Sequence, residues 1–146
     1  MRKIKFRGKT LYDKLMKADG HYELPSGSWV YGNLIIDHNG NPLIDIQGYN
    51  DGAPFQHQCW VDADTVGQFT GLQDKNGKDI YEGDIICFVD GLKRVNGKWI
   101  DNKHIYNVEY SGAAFRGVLG LSEVTDAVEV IGNIYDNPDL SKGGQP

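Results

Sequence analysis

The residues with the most chemical potential are four carboxylates in and after an Asp-Lys-Asn-Gly segment: Asp74, Asp79, Glu82 and Asp84. Oxygen ligands gathered at one end of a small domain are able to hold a divalent cation, and a metal-dependent enzyme is therefore one hypothesis. Aspartate and glycine are also the residues that tight turns need. A calcium loop that starts at Asp74 is excluded because Gly77 stands fourth in it instead of sixth, and no glutamate stands twelfth. We favour turns and predict no metal site, although cation binding by the cluster stays open.

A second pattern combines charge with strand periodicity at the N-terminus. Ile4 and Phe6 alternate with four bases, which are Lys3, Lys5, Arg7 and Lys9. On a β-strand these bases project from one face while the apolar pair is buried. Such a basic strand is suited to phosphates or to an acidic partner. The alternative is structural and is favoured: an edge strand protected by charge, or a strand paired with the acidic remainder of the chain.

Nucleophilic and redox chemistry find little support in the sequence. His57 and Cys59 would share one face of a strand, but no third residue is in view to orient the imidazole. Cys59 and Cys87 are 28 positions apart and form no Cys-x-x-Cys pair, which excludes a zinc ribbon. Both are predicted to be small buried apolar residues without a disulfide. We predict no catalytic residue and no cofactor.

Charge and length restrict the classes of partner. The chain has 146 residues and a formal net charge of −5, but residues 1–17 contain seven bases and one acid. The acidic remainder repels nucleic acid at long range, so a protein partner is favoured over nucleic acid. No apolar run approaches the length that a membrane helix needs, and the first residues lack the apolar core of a signal peptide. The expected location is the cytoplasm, with no membrane partner.

Turn signals dominate the local structure. The 19 glycines are about twice the usual share, and Asn-Gly pairs predict hairpin turns at residues 39–40, 76–77 and 96–97. Residues 11–18 and 64–68 are each predicted to form either a short helix or an irregular loop. Strands are predicted by alternating or continuous apolar residues over 29–36, 43–48, 85–89, 106–110 and 128–134.

The predicted fold is mainly β, of the β-rich α+β class. Residues 72–138 have the short strands and tight turns of an SH3-like small barrel. Residues 1–71 are expected to form a smaller N-terminal β/α part packed on it. Residues 139–146 are expected to be a flexible tail.

Four blocks of sequence resemble the YopX family. They are Ile4-Lys5-Phe6-Arg7, the run from Val66 to Gly77, Ile80-Tyr81-Glu82-Gly83-Asp84-Ile85-Ile86, and the run from Val130 to Pro138. The resemblance implies a small protein encoded by bacteriophages or prophages, chiefly of Gram-positive bacteria, and a family without an established activity. Residues 8–60 have no family signature. The motif residues expected to be structural are Gly71, Asp74, Gly77, Tyr81, Glu82, Gly83, Asp84, Gly132 and Asn133.

The leading functional hypothesis is a phage-encoded accessory protein that is not an enzyme. It would bind a host or phage protein and assemble as a homo-oligomer, because small β domains with exposed strand edges readily form symmetric assemblies. Three alternatives remain: nucleic-acid binding through the basic strand, a metal-dependent enzyme at the acidic cluster, and a virion component.

Overall fold

The computed structural model is built mainly of antiparallel strands, which confirms the predicted mainly β fold. Its contacts group the chain into two compact units, Met1–Phe69 and Thr70–Pro146. Most of the short helix expected over 11–18 lies outside the residues that the structure describes. Those residues are 3–11, 25–50, 52–111, 114–116 and 125–142.

The first unit is an antiparallel sheet in the order β4-β3-β2-β1-β5. Its core contains buried side chains from alternate strand positions, as a half-buried sheet requires. They are Val30, Ile44, Cys59 and Val61. The strand bounds are β1 (Phe6–Lys9), β2 (Trp29–Ile36), β3 (Pro42–Asn50), β4 (Ala53–Trp60) and β5 (Gly67–Gln73).

The second unit begins within β5, and β6 pairs with β5. The unit also contains a three-stranded sheet in the order β11-β7-β8. A separate pair is formed by β9 and β10. The SH3-like barrel stays a prediction, because no pairing among this unit's described strands closes them into a barrel. The bounds are β6 (Asp79–Tyr81), β7 (Asp84–Val95), β8 (Lys98–Asn107), β9 (Glu109–Ser111), β10 (Ala114–Arg116) and β11 (Val128–Asn133).

The core of the second unit lies where its three-stranded sheet meets β6. Its fully buried members are Ile80, Ile86, Val108 and Val128, and Leu72, Phe88 and Val130 pack around them. Complete burial of side chains of this size stabilises a fold by about 1.5–3 kcal/mol each. Ile85, which alternates with Ile86 along β7, is fully buried as well, so the continuous apolar run at the start of β7 reflects burial on both faces of the strand.

Short helical segments differ in detail from the prediction. The turn expected over 64–68 is a 3-10 helix, Ala63–Thr65, which ends before β5 starts at Gly67. The tail expected from residue 139 starts with a helix, α1 (Pro138–Lys142). No helix of the described residues is long and apolar enough to cross a membrane.

Candidate interaction surfaces

Three of the four bases at the N-terminus lie over aromatic rings of neighbouring strands. The Nζ atom of Lys5 lies 4.5 Å from the ring centroid of Phe69. The guanidinium carbon of Arg7 lies 4.6 Å from the Trp29 ring, and Nζ of Lys9 lies 5.4 Å from the same ring. A cation over an aromatic face is attracted by the ring quadrupole. These side chains therefore have structural contacts within the first unit.

Of the two structural alternatives for this strand, the edge position is wrong, and so is the expected burial of Ile4. Strand β1 is not an edge strand, because it pairs with β2 on one side and with β5 on the other. Ile4 is not buried either: it precedes β1 and is 63% exposed. Phe6 does pack against the core as expected. Arg7 is only 5% exposed, so the bases accessible to a partner reduce to Lys3, Lys5 and Lys9.

Asp74 uses its carboxylate to build the turn between β5 and β6 and to attach it to β11. Oδ1 accepts the backbone N–H groups of Asn76 and Lys78 at 2.8 and 2.9 Å. Oδ2 accepts the N–H of Val130 at 3.0 Å, 56 residues along the chain. Beside it, the Lys75 ammonium lies 2.9 Å from the Glu129 carboxylate. The turn is thus held against β11 by named polar contacts.

The Asp-x-Asn-Gly segment that starts at Asp37 makes the same turn without the distant contact. Asp37 Oδ1 accepts the N–H groups of Asn39 and Asn41 at 2.9 and 2.7 Å. Burial acts to raise the pKa of Asp37 and of Asp74, but the hydrogen bonds from backbone amides outweigh it and lower both pKa values below 3.8. The shared sequence therefore specifies a turn in which the aspartate is ionised.

The Glu82-Gly83 connection is a two-residue turn between β6 and β7. Gly83 has φ of +86°, and a Cβ there would lie 2.9 Å from Cε2 of Tyr135. Oδ2 of Asp84, which is buried, accepts the N–H of Tyr81 at 2.8 Å and closes the turn. Glycine is required here both by the left-handed backbone and by the space.

Gly71 bends β5 with φ of +86°. The hydroxyl of the preceding Thr70 fixes this bend, since it donates to the carbonyl of Ile80 at 2.8 Å and accepts the N–H of Leu72 at 3.2 Å. The family motif around Gly71 is therefore used to shape the strand.

The final block forms a compact turn after β11. Oδ1 of Asn133 accepts the N–H groups of Tyr135 and Asp136 at 3.0 and 2.9 Å. Asn137 accepts the N–H of Asn133 through Oδ1 at 3.2 Å. A Cβ on Gly132 would overlap that Oδ1 atom, so glycine is needed for Asn137 to reach its partner.

The acidic cluster is not arranged as a metal centre. Within the described part of the chain, no group of three or more His, Cys, Asp or Glu residues is placed to hold a metal ion. Asp74 and Asp84 direct their oxygens to backbone amides, and Asp79 accepts the amide of Gln73 at 3.0 Å. These hydrogen bonds account for the three aspartates of the cluster without a cation.

Burial also bears on the two cysteines, which are both free. Cys59 is buried in the first unit as predicted, and burial raises the pKa of its thiol to about 11. A nucleophilic thiol needs its thiolate form near neutral pH, so the Cys59 environment opposes that role. Cys87 is half-buried.

Asp45 is a buried carboxylate that the sequence pattern did not single out. It alternates with Ile44 and Ile46, and such a position is normally solvated, yet Asp45 is buried. Both of its oxygens accept the side-chain amide of Gln56, at 3.0 and 2.8 Å. The register places Gln56 opposite Gln47 on the neighbouring strand, and the pairing of β3 with β4 thus supplies the partner.

Among the described residues, several large exposed apolar side chains cluster at the far end of the β7–β8 hairpin, which we call the hairpin arm (residues 92–101). Asn96 and Gly97 have φ of 49° and 78°, confirming the predicted two-residue Asn-Gly turn. A register shift between Val89 and Leu92 separates the arm from the rest of the hairpin. Leu92 is 62% exposed and Trp99 is 66% exposed.

Both faces of the hairpin arm carry apolar residues next to charged ones. Residues directly opposite each other in an antiparallel pair share a face. One face, the tryptophan face, has two cross-strand pairs: Leu92 with Asp101 and Arg94 with Trp99. The other, the lysine face, pairs Lys93 with Ile100 and Val95 with Lys98. All of these side chains except the half-buried Lys93 are exposed.

Nearly the whole chain matches the model of one known protein family. The family model described as YopX protein matches residues 5–142. The chain belongs to the YopX family. The resemblance given by the four sequence blocks is thereby confirmed. No curated protein matches the chain.

A solved structure shows the same fold as this YopX-family protein. The crystal structure of protein EF1440 from Enterococcus faecalis has a TM-score of 0.56 to it, covering 96% of this chain and 99% of that chain. The two sequences are 22% identical, so the likeness concerns the fold alone.

The YopX-like blocks and the hairpin arm occupy different parts of the chain. The blocks form turns and the strands beside them, where Asp74, Gly83 and Asn133 have structural contacts. The arm belongs to none of the blocks. It lies nevertheless within residues 5–142, which the family model matches.

Proposed function

We propose that this YopX-family protein is a phage-type accessory protein that acts in the bacterial cytoplasm by binding another protein and catalyses no reaction. The observation that carries the proposal is the hairpin arm, which exposes large apolar side chains on two faces. Exposed apolar groups clustered on a soluble domain mark interaction sites. The aspartates of the acidic cluster, by contrast, serve the turns.

The lysine face is the surface we assign to the partner. Val95 and Ile100 are both exposed, at 41% and 42%, and lie diagonally across the two strands. Lys93 and Lys98 occupy the other diagonal. A partner suited to this face presents an apolar contact flanked by carboxylates, because aligned opposite charges steer association and fix register.

The test is capture of the partner by tagged full-length protein from phage-infected cells, with nuclease-treated and untreated lysates in parallel. Val95→Ser/Ile100→Ser should reduce the captured partner about tenfold or more, since buried apolar anchors dominate interface energies. The control is Ile36→Ser, which removes an apolar side chain of 56% exposure from the first unit. Equal capture by the wild type and the Val95→Ser/Ile100→Ser variant would refute the proposal.

Nucleic-acid binding is the second candidate, and the charge of the hairpin arm favours it. The arm contains three bases and one acid although the chain has a net charge of −5, and a two-stranded ribbon fits the major groove of DNA. The basic strand is the other candidate surface for phosphates.

Anisotropy with labelled duplex DNA separates these surfaces. If the arm binds DNA, Lys93→Glu/Lys98→Glu should abolish an affinity that falls steeply between about 50 and 200 mM salt. If the basic strand binds, Lys3→Glu/Lys5→Glu should do so instead. An unchanged anisotropy at low salt for the wild type would eliminate this candidate.

A further inference from the structure

We propose that the tryptophan face of the hairpin arm binds the same face of a second copy of this chain. This goes beyond the function proposed above, which concerns the lysine face. The occupant follows from the arrangement of charge on the face, which is complementary to itself under a two-fold rotation.

The four side chains form a square of two rows. Leu92 lies opposite Asp101 in one row, and Arg94 lies opposite Trp99 in the next. The two apolar residues therefore occupy one diagonal of the square, and the acid and base occupy the other. Among the described residues, neither Arg94 nor Asp101 has an ion pair.

A two-fold axis along the apolar diagonal brings each apolar residue against its own counterpart in the second copy. Leu92 then faces Leu92 of the second copy, and Trp99 faces Trp99. The same rotation places Arg94 over the second copy's Asp101, and Asp101 over its Arg94, giving two ion pairs. Isologous interfaces require such self-complementarity. The strands of the two arms would cross at a large angle, as in orthogonal sheet packing.

The lysine face fails the same requirement. Its apolar diagonal joins Val95 and Ile100, but both charged positions are lysines. The equivalent rotation would place Lys93 over Lys98 of the second copy, and like charges in close apposition oppose association. The two faces of one arm are therefore suited to different partners: one to a second copy, the other to an acidic surface.

The size of the face limits the strength of the association. Four side chains per copy bury less area than the roughly 1,200–2,000 Å² of a stable interface. The expected dimer is therefore weak and concentration-dependent. Its two ion pairs lie at an exposed site, so added salt should weaken it further.

The experiment is sedimentation equilibrium of the full-length protein, with and without nuclease treatment, over a range of concentrations. The wild type should show an apparent mass that rises towards twice the monomer mass. Arg94→Asp alone and Asp101→Arg alone should each remain monomeric, because each change brings like charges together twice. Mixing the two variants should restore association, since the acid introduced in the first variant then meets the base introduced in the second. The unchanged Asp101 of the first variant likewise meets the unchanged Arg94 of the second, so both ion pairs form again.

The mixture decides the experiment, because it tests for restored association and does not rely only on the loss of association in each single variant. A wild type that stays monomeric at every concentration, or a mixture that does not associate, would overturn the proposal. Association that disappears on nuclease treatment would assign it to bound nucleic acid and overturn it too. Val95→Ser/Ile100→Ser should dimerise normally while losing its captured partner, so failure of one proposal is distinguishable from failure of the other.

Discussion

The carboxylate of Asp74 accepts the backbone N–H of Val130 at 3.0 Å, across 56 residues of chain. The same side chain organises its own turn through Asn76 and Lys78. One residue therefore specifies a local turn and also fixes where that turn meets β11. This double role gives a physical reason for an aspartate at this position of the YopX-like block.

Replacing Asp74 should destabilise the protein far more than replacing its counterpart Asp37. Asp74→Ala leaves three backbone donors without their acceptor, which costs about 3 kcal/mol. Asp37→Ala should cost clearly less, because Asp37 is only half-buried and its contacts lie within its own turn. Urea unfolding at neutral pH measures both changes. Equal losses for the two variants would contradict the role assigned to the Val130 contact.

Acid should weaken the protein through the same carboxylates. The folded-state pKa of Asp74 lies below the ordinary 3.8, so its ionised form stabilises the fold above that pH, and this contribution is lost as the pH falls through the folded pKa. The free energy of unfolding should therefore fall below about pH 4. Asp74→Asn should flatten that decline in a pH series of urea titrations. A decline as steep as that of the wild type would show that other groups cause it.

Local chemistry explains why the turns are predictable from the sequence. An Asn-Gly pair tolerates positive φ, and an aspartate two residues before an amide can accept its hydrogen. Both rules operate within five residues, and the turns at Asn39-Gly40, Asn76-Gly77 and Asn96-Gly97 form as expected. Gly132 also acts through short-range geometry, since its Cβ would meet Asn137 five residues on.

Positions that depend on distant strands are not predictable in this way. Alternating bases and apolar residues predict a strand at β1, but not that it lies between β2 and β5 or that Arg7 is buried. Asp45 is buried and bonded to Gln56, whose position depends on how β3 and β4 pair. The hairpin arm gives the converse case, since its alternation does not reveal that both faces are exposed. In the arm, each apolar residue has a charged neighbour in the sequence. This is the feature of the sequence that indicates exposure of both faces.

Gly83 should tolerate a methyl group less well than Gly97, although both have positive φ. Alanine strains either backbone by about 1–2 kcal/mol. At Gly83 the Cβ also meets the Tyr135 ring at 2.9 Å, whereas at Gly97 nothing lies within 4 Å. Gly83→Ala should therefore cost about 1–3 kcal/mol more than Gly97→Ala.

A double-mutant cycle with Tyr135→Ala tests the cause of that difference. If the ring is responsible, the two changes at Gly83 and Tyr135 should be coupled, with a smaller loss than the sum of the single losses. Gly97→Ala and Tyr135→Ala should be additive in thermal or urea unfolding. Additivity in both cycles would exclude the contact as the reason for glycine at Gly83.

The two thiols should differ in their reaction with iodoacetamide in the folded protein. The pKa of Cys59 is raised to about 11 by burial, and the reactive thiolate is therefore scarce at about pH 8. Cys87 is half-buried and should be alkylated first, as peptide mass spectrometry can follow. In denaturant the two rates should converge, because the environment that protects Cys59 is lost. Faster modification of Cys59 in the native protein would mean that its side of the first-unit core opens to solvent, and would restore the His57 and Cys59 pair as a candidate nucleophile.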